Sequence, residues 1–183
     1  MTTADLKSEF LVEGLGNVSL RKPIPEQAEL AFGIISNETN MRFFMVSNWT
    51  LDEYRKFIPK VMKDRKRYPF WIYAGETFVG ICQIWKISNK PKKYGRNAYI
   101  FCALSPEYQK MGTARAALKL MIEFAFNELN PPIDTIRVHI IEENRPSLNL
   151  AFGLGFKKTI RHKSAGLVDG QKVPAIYAIL RRT

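Results

Sequence analysis

Cysteine and histidine are scarce in this chain: 183 residues hold two of each. Cys82 and Cys102 both sit inside apolar runs, the setting of reduced core thiols rather than of a disulfide framework. With His139 and His162 in unrelated places, no metal site is expected. Acid is in deficit too, 17 Asp+Glu against 28 Lys+Arg, for a formal net charge of +11. No window approaches the roughly 20 apolar residues that span a bilayer. Residues 1–16 lack a basic segment followed by a sustained apolar stretch. The expectation is a cytoplasmic protein with no membrane contact. No G-x-x-x-x-G-K-[ST] occurs, and no G-x-G-x-x-G with an acidic residue about 20 positions on, which removes P-loop hydrolysis and Rossmann-type dinucleotide binding.

What is present suits one core. The chain is 46% hydrophobic and 12% aromatic, without repeats or a dividing linker, so a single domain over residues 1–183 is expected, with residues 1–16 as a loosely tied lead-in. Residues 18–21 read as a short strand stopped by Pro23 and Pro25, and residues 26–35 as a helix. Thr50 and Glu53 fit a capping box, with Trp49 placed to staple onto Tyr54. Tyr54, Phe57, Ile58, Val61 and Met62 then follow a helical stripe in which Pro59 predicts a kink or break. Residues 70–74 and 78–87 read as a hairpin turning at Gly75-Glu76, residues 90–96 as a basic loop, and residues 97–104 as a buried strand.

A long helix is predicted over residues 113–129, with Arg115, Lys119, Glu123 and Asn127 as its wet stripe, ended by Pro131-Pro132. Residues 135–141 form a strand, residues 145–154 a short helix closed by Gly155, and residues 157–162 and 173–180 the last strands. Strand, helix and strand between residues 97 and 141 imply a right-handed parallel crossover. The fold class is α/β: a mixed, mostly antiparallel central sheet with that crossover and helices on both faces.

One segment carries chemistry. A buried strand ends at Leu104 and a short polar loop, 105–112, opens directly into the long helix. A helix N-terminus leaves about four amides without intrahelical partners and carries a positive dipole end. Gly112 and the small Thr113 and Ala114 allow close approach to that backbone, which suits a phosphate or pyrophosphate.

The turn Gln109-Lys110-Met111-Gly112-Thr113-Ala114 resembles the Q/R-x-x-G-x-G/A signature of the GNAT superfamily of acetyl-CoA-dependent N-acetyltransferases. A second block resembles that family's N-x-x-S…G-F element, with Asn144, Ser147, Gly155 and Phe156 in place. The resemblance extends over residues 18–180 and is strongest to the branch of ribosomal-protein N-terminal and polyamine acetyltransferases. It implies acetyl-CoA as co-substrate, no metal, and transfer to a primary amine, either a peptide N-terminus or a small molecule. It further implies pyrophosphate binding by Gln109, Lys110, Met111, Gly112, Thr113, Ala114 and Arg115, pantetheine pairing near Ala103 and Leu104, and a cofactor contact at Asn144. The amine would attack the thioester directly, polarised by a backbone amide.

The sequence departs from the family in one respect. Many relatives have a Tyr seven residues after the Asn to protonate the leaving thiolate. Here Ala151 stands there, and Phe152 beside it has no hydroxyl, so Ser147 becomes the candidate donor. Where some relatives carry a catalytic Glu, this chain has Tyr99. Glu38, Glu142 and Glu143 are candidate bases, each also readable as a solvated carboxylate, and His139 reads as a structural histidine. Two other classes are a nucleic-acid-binding module, for which only the basic clusters speak, and an inactive acyl-CoA sensor of the same fold. The acceptor is placed in a cleft of residues 36–49, the helix after them, and the loops around residues 88–95 and 163–172, with Phe43, Phe44 and Trp49 readable either as its lining or as core. The oligomeric expectation is a monomer or homodimer.

Overall fold

The computed structural model describes residues 6–12, 16–43, 49–92, 95–168 and 171–182. Its strands are β1 Leu6–Val12, β2 Gly16–Arg21, β3 Tyr68–Ala74, β4 Thr77–Lys92, β5 Gly95–Leu104, β6 Thr135–Ile141, β7 Lys157–Val168 and β8 Gln171–Arg181. The helices are α1 Ala28–Ser36, α2 Glu38–Met41, α3 Leu51–Lys63, α4 Thr113–Glu123 and α5 Arg145–Gly153. All eight strands share one sheet in the order β1-β2-β3-β4-β5-β6-β8-β7. Neighbours are antiparallel throughout except β5 and β6, the parallel pair joined through α4.

Alternation along the strands divides the core into two clusters. Phe70, Ile72, Cys82, Ile84, Ala98, Ile100 and Leu104 face the α4 side, meeting Ala117, Leu120, Met121 and Phe124. Trp71, Tyr73, Ile81 and Ala103 face the other side, meeting Ala28, Ala31, Ile34 and Ile35 of α1 and Tyr54 and Ile58 of α3. Each face removes a continuous apolar surface from water, which is what fixes the register of the strands beneath. Cys82 and Cys102 lie opposite each other on β4 and β5, both as free thiols. Burial pushes both upward, Cys102 to about 12, so they stay protonated and unreactive.

Several sequence expectations change. The lead-in contains β1, which pairs antiparallel with β2. The basic loop at residues 90–96 is instead the end of a hairpin, with Lys92 opposite Gly95. Residues 93–94 within it lie outside the described residues. Pro59 does not break α3, which runs unbroken from Thr50's capping box to Lys63. The amide that proline lacks would have bonded to Arg55, whose position is exposed, so water can take the freed carbonyl. The long helix changes pitch at its end, where Phe124–Glu128 is wound as a π turn.

Candidate functional site

The parallel pair is short. β5 and β6 are in register from Asn97↔Thr135 to Tyr99↔Arg137, and the ladder then ends although both strands continue. The sheet therefore parts beside residues 100–104. The Ser105 amide donates to the Val79 carbonyl at 2.9 Å, which fixes the alternation along β5. Ala103 turns its amide toward β4, and Cys102 and Leu104 turn theirs into the opening. Ala103 instead buries its methyl in the α1–α3 cluster. At Gly80 a Cβ would sit 2.4 Å from the Ala103 carbonyl oxygen, so glycine there lets β4 hold this end of β5 closely.

From Leu104 the chain makes a 3-10 turn, Pro106–Tyr108, and enters α4 through two left-handed residues, Lys110 (φ 63°) and Gly112 (φ 87°). Gly112 is the N-cap of α4 and supplies no side-chain cap, so the first-turn amides keep no partner from that residue. Gln109 points inward: its Nε2 donates to the Leu104 carbonyl and to Asn40 Oδ1, each at 3.3 Å. Asn40, buried on α2, donates to the carbonyls of Leu104 at 3.0 Å and Ile34 at 2.9 Å. The Leu104 carbonyl is thus capped from two sides while its amide faces the opening. Thr113 is fully buried and its hydroxyl has no hydrogen-bond partner. Lys110 and Met111 are exposed on the loop, Ala114 is half-buried, and Arg115 reaches over to donate to the Gly153 carbonyl at 3.1 Å. The Arg115 guanidinium thereby ties α4 to α5.

Across the opening, the Ile141 carbonyl accepts from the Asn144 amide at 2.9 Å. Asn144 is the N-cap of α5, its Oδ1 accepting from the Ser147 amide at 3.2 Å. The cap is therefore made by Asn144, and the Ser147 hydroxyl makes no hydrogen bond to the described residues. Ala151 is buried and Phe152 exposed, so neither supplies a polar group at the position where a Tyr is common.

Two of the three carboxylates weighed as bases pair with arginines. Glu142 accepts three bonds from Arg161, at 2.6 to 3.0 Å, which hold its carboxyl below the usual range. Glu143 lies 3.6 Å from Arg42, and Glu38 is an exposed first-turn residue of α2. Trp49 packs into the α3 cluster, 4.3 Å from Phe57 between ring centroids, as core rather than cleft lining. Phe43 is half-buried, and Phe44 lies outside the described residues. Gln83, which sequence reasoning passed over, and His139, which it read as structural, each bury a nitrogen without a partner on the α1–α3 face, on either side of β5. Among the described residues no group of His, Cys, Asp and Glu could hold a metal ion, and no helix is long and apolar enough to cross a membrane.

A strand parted from its parallel neighbour, running into an uncapped helix N-terminus, is a feature of fold and turn together. The model of the acetyltransferase (GNAT) domain matches residues 17–157. The chain belongs to the GNAT acetyltransferase family. Among curated proteins, Acetyltransferase PseH of Campylobacter jejuni subsp. jejuni serotype O:23/36 (strain 81-176) is 21% identical over 125 residues, covering 68% of this chain and 73% of its own length. Spermidine N-acetyltransferase from Vibrio cholerae, in complex with CoA and spermine, superposes with a TM-score of 0.80 at 19% identity, over 90% of this chain and 95% of that one. Mycobacterium smegmatis RimJ, in complex with CoA-disulfide, gives a TM-score of 0.83 at 17% identity, over 98% and 90%. At these identities the structural likeness is one of GNAT fold.

Proposed function

We propose that this protein transfers an acetyl group from acetyl-CoA to a primary amine by direct attack on the thioester. The observation that carries the reading is the end of the β5–β6 ladder at Tyr99↔Arg137, immediately before the α4 N-terminus. The residues suit a thioester on a diphosphate tether. The amides of residues 111–114, with Gly112 left-handed, present donors and a positive dipole end to phosphate oxygens. The Cys102 and Leu104 amides can pair with the amide-bearing arm as an added strand, and one of them can hydrogen-bond the thioester carbonyl as it gains charge. Lys110 supplies a flexible cation beside the phosphates, Arg115 and Asn144 hold the walls, and Ser147 gives its proton to the departing thiolate.

The acceptor is a peptide N-terminus or a small neutral or anionic amine. Lys86 and Arg137, stacked on Trp85 and Tyr99 on the face beside β6, disfavour a polycation there. The protein works in the cytoplasm without nucleic acid as partner. The test has two stages. Acetyl-CoA titration should show saturable binding. Thiol release over peptides, polyamines, aminoglycosides and amino acids should then single out one acceptor class, and Ser147→Ala should lower kcat about 100-fold with little change in KM. Binding without thiol release on any amine would make the protein an acyl-CoA sensor. Absence of binding would refute the reading altogether.

A further inference from the structure

Transfer needs an uncharged amine, and at neutral pH an alkylamine arrives as its ammonium. Some group must take that proton. Of the carboxylates weighed above, Glu142 and Glu143 pair with Arg161 and Arg42, and Glu38 is exposed on α2. His139 is a titratable side chain placed on the strand that borders the opening. Continuing the β5–β6 register two residues beyond Tyr99↔Arg137 sets His139 opposite Phe101, where the strands have parted. Alternation points its ring to the α1–α3 face, since Ile136 and Val138 face the α4 cluster. On that face it stacks on Tyr177 of β8, centroids 4.2 Å apart and planes 18° from parallel. The stack fixes the ring's orientation, yet its Nε2 is buried with no partner. A purely structural histidine satisfies its buried nitrogens. Gln83 of β4, opposite Phe101 from the other side, leaves its buried Nε2 unpartnered on the same face. Two orphaned polar atoms on one face, His139 at the opening and Gln83 one strand away across Phe101, point to a polar guest on that face.

We propose that His139 is the general base of this reaction, taking a proton from the acceptor's ammonium on the α1–α3 face of the opening. This rests on the acetyl-transfer reading above. The bookkeeping closes without another reactant. Neutral imidazole accepts one proton from the ammonium; the freed lone pair forms the N–C bond as the C–S bond breaks. The second amine proton compensates the one that Ser147 gives to the thiolate sulfur, and the imidazolium releases its own to water. Tyr177 on β8 stacks on the ring, His162 on β7 lies 5.0 Å from that same tyrosine, and Lys86 on β4, Tyr99 on β5 and Arg137 on β6 itself share the face. Burial first, then His162 and Lys86, push His139 below its ordinary value, so it is unprotonated at neutral pH.

The test compares wild type with His139→Gln and His139→Gly, using glycinamide and hydroxylamine as acceptors beside any amine that the panel identifies. Hydroxylamine is already uncharged at neutral pH. Glutamine should lower kcat with an ammonium-bearing acceptor 100-fold or more, leave acetyl-CoA affinity unchanged, and spare hydroxylamine. The deficit should close as pH rises past the amine's own pKa, and added imidazole should rescue the glycine variant. Without any acceptor, NMR titration of the His139 ring should give a midpoint below that of an ordinary histidine. Equal loss with both acceptors, no loss, or a ring protonated at neutral pH would overturn the assignment. A wild type that binds acetyl-CoA and acetylates no amine would refute the transferase reading itself.

Discussion

Gly112 offers the sharpest test of where the phosphates sit. Its backbone is left-handed, with φ 87° and ψ −11°, at the N-cap of α4. Any side chain there costs about 1–2 kcal/mol in backbone strain, and Gln and Glu incur it equally. The Gly112→Gln and Gly112→Glu pair therefore isolates charge from shape. A carboxylate about 4 Å from a phosphate is opposed by about 4 kcal/mol at an effective dielectric near 20 and by about 1 kcal/mol in bulk water. Gly112 is exposed, so the value lies between, about 2 kcal/mol, or roughly 30-fold in Kd. Calorimetric titration with acetyl-CoA at about 50 mM salt should show that ratio between the two variants. At about 1 M salt, where the screening length falls to about 3 Å, the ratio should shrink to a few-fold. Equal affinities at low salt would show that the diphosphate is not at this helix end.

Thr113→Val removes a buried hydroxyl that has no partner, and should stabilise the ligand-free protein by about 1 kcal/mol, raising Tm by about 2–4 °C; a fall in Tm would mean the hydroxyl is satisfied. Asn40→Ala should cost about 1–3 kcal/mol by removing the Asn40 donor from the Ile34 carbonyl and one of the two donors from the Leu104 carbonyl. The same variant should weaken acetyl-CoA binding through Gln109, as thermal shifts with and without ligand would show. For pH, the unfolded chain protonates His139 near 6.5 while the folded chain resists until lower, so the unfolded state binds more protons in that window. Denaturant titrations should thus find wild-type stability falling as pH drops below about 6.5, with that component missing in His139→Gln; parallel curves would contradict the burial of the ring.

The order of elements could be read from local pattern because it is local. The stripe from Tyr54 to Val61 and the Thr50 cap lie within a few residues of each other. The turn into α4 was equally legible, since Gly112 before a strong helix carries its reason in the sequence. What escaped depends on distance in the chain or on strand divergence. Asn40 reaches Leu104 across 64 positions, and nothing in the composition of α2 announces it. Where β5 parts from β6 depends on how two strands far apart in the chain are placed, and no pattern within either strand marks it. His139 reads from sequence as one polar residue in an apolar strand, and its meaning changes only when the sheet opens beside it. The strand within residues 6–12 was missed because an edge strand pairing on one side needs no long apolar run.

Amide hydrogen exchange, followed residue by residue by NMR as acetyl-CoA is added, bears most directly on the proposal that β5 and the α4 N-terminus hold the ligand together. Protection should rise at Cys102 and Leu104 and across residues 111–114, with the β7–β8 hairpin unchanged. Saturating ligand that leaves those amides exchanging as before, or that protects a different surface, would contradict it.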